Sequence, residues 1–217
     1  MNSSYKVRLL TRLAILTAVI FLLAFTPLGY LTIGPIAATT VQMPVIIGAV
    51  LLGPMSGGIL GFFFGLSAVI KVLTMPGADP FATMALQYSP LSYIIICIVP
   101  RILMGWLAGL LAAALKKIAA SSAERGGKVL ANNVLGYTAT GFIGSMMNTV
   151  FYLGALWGLA AEVIATAYGT DISAVGGIVM TTAVTAGIPE AIVSALVVSA
   201  VCKAMEIIFR RAPYQNR

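Results

Sequence analysis

Long apolar runs alternate with short stretches rich in Gly, Pro or charge. Runs near 20 residues suit helices that cross a bilayer, whereas soluble helices alternate polar and apolar faces. The pattern predicts six helices, over residues 5–25, 43–52, 55–73, 91–117, 130–156 and 178–209. The second is short: ten residues rise about 15 Å, half of a bilayer core. Residues 26–42 carry no charge but are rich in Gly, Pro and Thr. This composition predicts a loop folded back into the protein. A second structured loop is expected over 74–89, around Pro76, Gly77, Asp79 and Pro80, and a polar basic connection over 119–128. Residues 157–177 are ambiguous, with a short helix at 159–168 and a loop at 169–177. Pro100 either kinks the fourth helix or marks its start, and Pro189 falls inside the sixth.

Within residues 41–65, Gly53, Gly57, Gly61 and Gly65 recur at every fourth position after a Gly-Pro break. Helical geometry puts them on one face. In water each such glycine weakens a helix by about 0.5–1 kcal/mol. In lipid a glycine stripe lets a second helix approach to backbone contact. The ladder is therefore read as a packing device.

Composition fixes the class. Of 217 residues, 60% are hydrophobic and only 9% charged, which suits a polytopic membrane protein and not a water-facing surface. No hydrophilic stretch is long enough for a soluble domain, so residues 1–217 form one domain. The basic, apolar N-terminal segment lacks an A-x-A cleavage site and is read as a retained first helix. Cys97 and Cys202 both lie in apolar segments and read as packing residues.

Charge then sets an orientation. Apart from Lys71 and Arg101, all 13 basic residues flank the first helix, the connection between the fourth and fifth, or the chain end. Six spans gather these clusters on one face, which the positive-inside rule makes cytoplasmic together with both termini. The net charge of +7 is thus a topology signal, and nucleic acid is not an expected partner.

Several polar residues do not fit a lipid-facing role. Arg101 and Glu190 fall within apolar helices, where an ionisable group needs a partner or a cavity. They pair with each other or flank a small polar ligand; Arg101 alternatively snorkels to the outer interface. On the fifth helix Asn148 and Tyr152 share a face, as do Ser145 and Thr149. Asn148 needs a hydrogen-bond partner, from another helix or from a ligand. Gln42, Gln87, Tyr88, Tyr93 and Trp157 are candidates to close a pocket from the loops, although Tyr and Trp also collect at membrane interfaces. The substrate-binding candidates are therefore Gln42, Tyr88, Arg101, Asn148, Tyr152, Trp157 and Glu190.

Ala14 and Ala18 form an A-x-x-x-A pair on the first helix, a spacing that admits a close partner helix. The chain has no histidine, no Walker-type G-x-x-x-x-G-K-[ST], no H-E-x-x-H and no G-x-S-x-G. Neither a catalytic site nor a cofactor or metal site is expected. No inverted repeat is evident, and six helices are few for a complete secondary transporter.

With six helices in about 200 residues, A-x-x-x-A at Ala14 and Ala18, the uncharged first loop, M-P-V-I-I-G-A-V-L-L-G-P over 43–54 and V-P-R-I-L over 99–103, the chain resembles the substrate-binding S component of energy-coupling factor (ECF) vitamin transporters. The resemblance covers nearly the whole chain and rests on the order of these features. It implies a protein of a bacterial or archaeal plasma membrane that captures a vitamin outside. A transmembrane scaffold, the T component, and two cytoplasmic ATPases would be its partners, and Ala14 and Ala18 would meet the scaffold. The pattern T-P-L-G-Y…G-P-I…P-V-I-I-G-A over 26–49 looks most like the pantothenate branch. Riboflavin, folate or another vitamin stays open as ligand, as does a self-sufficient small-solute transporter.

Overall fold

A computed structural model describes residues 3–33, 36–75, 80–124 and 133–211. Helix α1 (Ser3–Ala24) leads through a 3₁₀ turn (Pro27–Gly29) into an antiparallel hairpin of β1 (Tyr30–Ile33) and β2 (Ile36–Thr39). Then come α2 (Gln42–Leu52), α3 (Pro54–Thr74), the short α4 (Pro80–Tyr88), α5 (Pro90–Glu124) and α6 (Val134–Tyr168). Finally α7 (Ile172–Thr182) continues through a π turn (Ala183–Gly187) into α8 (Ile188–Arg211). Among the described residues, five helical stretches are long and apolar enough to cross a membrane: α1, α3, α5, α6, and the joined α7–α8 rod. The apolar α2 is shorter.

The first loop is where the fold departs most from expectation. Residues 26–42 contain a two-stranded hairpin, not only irregular loop. In lipid a backbone segment without partners is unfavourable, and the hairpin pairs Tyr30 with Thr39 and Ile33 with Ile36 to satisfy it. Thr40 fixes the base: its N–H donates to the Gly29 carbonyl and its hydroxyl to the Leu28 carbonyl. The expected loop at 74–89 holds α4, and Asp79 lies outside the described residues. Of the expected basic connection, residues 119–124 belong to α5, and Arg125 and Lys128 lie outside the described residues. The ambiguous segment is helical: α6 bends at Ala160 (φ −145°, ψ 32°), reaches Tyr168, and ends on left-handed Gly169. The last rod begins at Ile172, before its expected start.

Gly53, at φ +95°, makes the turn between α2 and α3, and Pro54 opens α3 where its missing N–H is harmless. Beyond the turn the glycine ladder meets α5. A Cβ on Gly57 would lie 2.2 Å from the Gly105 carbonyl oxygen, one on Gly61 2.1 Å from that of Arg101, and one on Gly65 2.6 Å from that of Cys97. Across the interface, a Cβ on Gly105 would lie 2.1 Å from the Gly57 oxygen. The α3 and α5 backbones therefore touch over several turns, as the spacing predicted, and α5 is the partner.

Around this pair the main core gathers Ile20, Val45, Ile46, Leu60, Phe64, Met104, Tyr137, Val198 and Cys202. A second cluster, on the far side of the Arg101 level, joins Val69, Val72, Ala85, Tyr93, Ile96, Cys97 and Ala160. At the C-terminal end of α2 the Lys116 ammonium donates to the Val50 carbonyl at 2.6 Å, a basic cap on a helix end.

Replacing Gly61 with Leu is expected to destabilise the fold by about 3 kcal/mol or more, because the side chain would enter the backbone of α5. Gly58→Ala, whose Cβ would find its nearest neighbour 3.7 Å away, should be tolerated. Detergent-solubilised yield and thermal unfolding by size-exclusion chromatography would show loss for the first variant alone.

Candidate functional site

In an apolar bundle every buried polar group must find a partner or a ligand. Gln42, Arg101, Ser145, Asn148, Thr149, Glu190 and Ser194 are all buried. They come from α2, α5, α6 and α8, and the backbone sets each position.

Arg101 follows Pro100 inside α5. Proline has no N–H, so the carbonyl four residues earlier, on Ile96, loses its helical donor. The Arg101 side chain curls back and supplies that donor: Nη1 donates to the Ile96 oxygen at 3.1 Å and to the Cys97 oxygen at 2.7 Å. Its guanidinium lies between two rings, 4.9 Å from the centre of Phe64 and 4.6 Å from that of Tyr152. Such faces attract a cation, more strongly where water is excluded. Its Nε has no partner. Arg101 is turned inward, so it does not snorkel to the interface.

Glu190 sits just past the π turn. Pro189 lacks an N–H and crowds the preceding turn, and the wider π spacing accommodates it. Gly187 lets the turn pack on α6, since a Cβ there would lie 2.8 Å from the Thr149 methyl. Glu190 Oε1 accepts the Thr39 N–H at 2.5 Å, and Oε2 accepts from Gln42 Nε2 at 3.4 Å. The same amide nitrogen donates to Ser145 Oγ at 2.7 Å. Gln42 is the first residue of α2, so the carboxylate also lies beside the positive end of that helix dipole. The anticipated Arg101–Glu190 ion pair does not form; Lys203–Glu206, at 3.2 Å, is the ion pair seen among the described residues. Backbone carbonyls and rings hold the arginine, while a backbone N–H and an amide hold the glutamate.

These two centres lie along one face of α6. Arg101 touches Tyr152, the Gln42–Glu190 cluster touches Ser145, and Asn148 falls between them in sequence. Seven residues of helix separate the two levels by about 10 Å. Asn148 is buried, and its Oδ1 has no partner; neither has Gln42 Oε1. The site thus presents a guanidinium at one end, an amide oxygen in the middle, and an amide–carboxylate cluster at the other.

The aromatic candidates are placed differently. Tyr88, at the end of α4, is exposed and donates to Glu162 Oε2 at 2.5 Å, which holds its hydroxyl pKa above the ordinary tyrosine value. Half-exposed Trp157 packs beside Gly176 of α7. Both lie on the segments around the Ala160 bend, outside the Arg101–Glu190 line. Tyr93 is buried and belongs to the second core cluster, whereas Gln87 is exposed. On α1, Ala14 and Ala18 are exposed, as are Leu10, Ile15 and Leu22.

Sequence reasoning missed Thr39, Phe64 and Ser194. A backbone N–H leaves no trace in a side-chain pattern, and Phe64 reads as ordinary core. Pro100 directly before Arg101 was the available sign that the arginine would turn back on its own helix.

A family model described as "ECF transporter, substrate-specific component" matches residues 8–202. No curated protein matches the chain.

Gln42→Leu removes the donor shared by Ser145 and Glu190. A loss of about 2–3 kcal/mol is expected, seen as a clear fall in melting temperature in detergent. Tyr88→Phe, which breaks an exposed hydrogen bond, should leave that temperature unchanged.

Proposed function

We propose a cargo and an orientation for this chain, which belongs to the family of ECF transporter substrate-specific components. As a member it is a multi-pass plasma-membrane transport subunit and not an enzyme. The family implies a substrate, a T component and ATPases as partners. The proposed cargo is a vitamin taken from the outer side, with pantothenate as the substrate.

The observation that carries this reading is the buried Arg101 guanidinium, which among the described residues has no acidic partner and has an unused Nε–H. An uncompensated cation at membrane depth calls for an anionic ligand. Pantothenate carries one carboxylate, a central amide and two hydroxyls, one beside the amide carbonyl and one at the far end of an extended chain. Its carboxylate would meet Arg101 with Tyr152 alongside. Its amide N–H would donate to the open Oδ1 of Asn148. Its hydroxyl end would reach the level of Gln42, which Glu190 orients. The roughly 10 Å spacing along α6 suits a molecule of that length. Tyr88 and Trp157 would border the outer approach. A flat aromatic vitamin has less support, because Tyr88 is engaged with Glu162 and Trp157 packs on α7.

The charge pattern supports six spans with both termini cytoplasmic. In that orientation α2 crosses the inner half of the bilayer and the uncharged hairpin occupies the outer half. The exposed face of α1 that bears Ala14 and Ala18 supports these residues as the meeting point with the T component.

Purified protein without nucleotide should bind pantothenate. Arg101→Ala should weaken that binding at least about 100-fold, in the range for a lost buried charge pair, while weakening the neutral alcohol analogue far less. Isothermal titration of both ligands decides the matter: equal losses would make Arg101 structural, and binding of another vitamin in place of pantothenate would overturn the cargo.

Ala14→Trp or Ala18→Trp should abolish uptake by the assembled transporter while leaving ligand affinity intact. Paired uptake and binding assays test this, and an equal fall in both would remove α1 from the partner interface.

A further inference from the structure

The cluster around Glu190 leaves two buried oxygens without a partner among the described residues, Gln42 Oε1 and Ser194 Oγ. Glu190 is buried, and the residues bonded to its carboxylate are both neutral: Thr39 through its N–H and Gln42 through its amide. Gln42 is 0% exposed, and its Oε1 has no partner among the described residues although Nε2 of the same amide touches both Ser145 and Glu190. One turn beyond Glu190 on α8, Ser194 is also 0% exposed with an unpartnered Oγ. Other helical hydroxyls here bond back to a carbonyl three or four residues earlier, as Ser67, Thr138, Thr140 and Thr149 do. Ser194 does not.

The contacts of α6 with α8 put these groups at neighbouring levels. Gly187 packs on Thr149 at one end, and Gly141 packs on Ser194 and Ala195 at the other. Glu190 and Ser145 fall midway between, where Gln42 bridges them.

We infer that this junction of α2, α6 and α8 binds a hard monovalent cation of the sodium type. Glu190 supplies the negative charge, Ser145 Oγ and Ser194 Oγ supply neutral oxygens, and the Gln42 amide turns over on binding so that Oε1 replaces Nε2 toward the ion. Oxygen ligands select hard cations. One carboxylate balances one positive charge, whereas a divalent ion would leave a net charge among apolar helices. Among the described residues no three His, Cys, Asp or Glu side chains gather, so the ligand set does not suit a transition metal. The ion joins the end of the hairpin, the start of α2 and α8 into one unit. This inference stands apart from the identity of the vitamin, because it concerns the ligand-free protein.

The test is thermal unfolding of the ligand-free, detergent-purified protein in sodium, potassium or choline chloride at equal ionic strength. Sodium is expected to raise the melting temperature by about 3 °C or more over choline, by preferential binding to the folded state. Glu190→Gln, which keeps an acceptor for the Thr39 N–H, should abolish that difference. If this variant fails to fold, sodium-23 line broadening titrated on the unaltered protein, with choline as competitor control, replaces it and should saturate. Equal melting in all three salts, a sodium shift that survives Glu190→Gln, or the absence of saturable broadening would each overturn the site.

Discussion

Backbone contact between α3 and α5 is the constraint on which the site depends. Gly61 lies against the carbonyl of Arg101, with Gly57 against Gly105 and Gly65 against Cys97. Helices that touch at their backbones have little freedom to slide or rotate, since the carbonyls of Gly105, Arg101 and Cys97 each face a glycine and a side chain at those glycines would collide. In lipid this association relies on close packing and not on expulsion of water. Arg101 is held within that contact. Its carbonyl packs on α3, its side chain repairs the gap left by Pro100, and Phe64, on the same α3, covers one face of the guanidinium. A group that would be expensive to bury alone is thus fixed by local covalent geometry and two rings.

The second constraint is the length of α2. Its 11 residues span about half of a hydrocarbon core, so its first residue, Gln42, falls near the middle of the bundle. A helix that begins there exposes N–H groups and a positive dipole end away from water. Glu190 answers this from α8, and the hairpin fills the space above. An acid at this depth and a loop without charge are two sides of one arrangement: irregular backbone is tolerated at membrane depth only where protein surrounds it. The π turn before Glu190 belongs to the same arrangement, because it relieves Pro189 as α8 meets Thr149.

Much of this was legible in the sequence. Apolar length located the spans, the fourfold glycine spacing announced the α3 packing face, and Gly53-Pro54 marked its turn. The need of Asn148 and Glu190 for a partner followed from the cost of polar groups in lipid, whereas Arg101 was also compatible with the outer interface and Gln42 read as a loop residue closing a pocket. What stayed hidden depends on contacts distant in the chain. The β-hairpin was missed because its pairing is satisfied by backbone groups, and Gly, Pro and Thr do not announce a strand. An Arg101–Glu190 pair is one reading of two opposite charges in lipid, beside a ligand flanked by both. The structure gives each a closer solution: carbonyls one turn back for the arginine, and the hairpin end and start of α2 for the glutamate. Tyr88 and Trp157 show the same limit, since aromatic content says nothing about whether a ring faces a pocket, an acid or a neighbouring helix.

Keeping the two charges apart has a consequence for binding. Had Arg101 and Glu190 paired, each would have neutralised the other, and a ligand would have had to break that bond before forming its own. With Arg101 held by carbonyls and rings, its charge is positioned but not cancelled. Glu190, held by a backbone N–H and an amide, is oriented for a partner other than the arginine. Under the proposed binding mode, two preorganised polar centres along α6 would reduce the reorganisation that binding requires and would make the order of polar groups along the ligand a basis for selection. Asn148, between them with an open oxygen, makes that order readable at a third point.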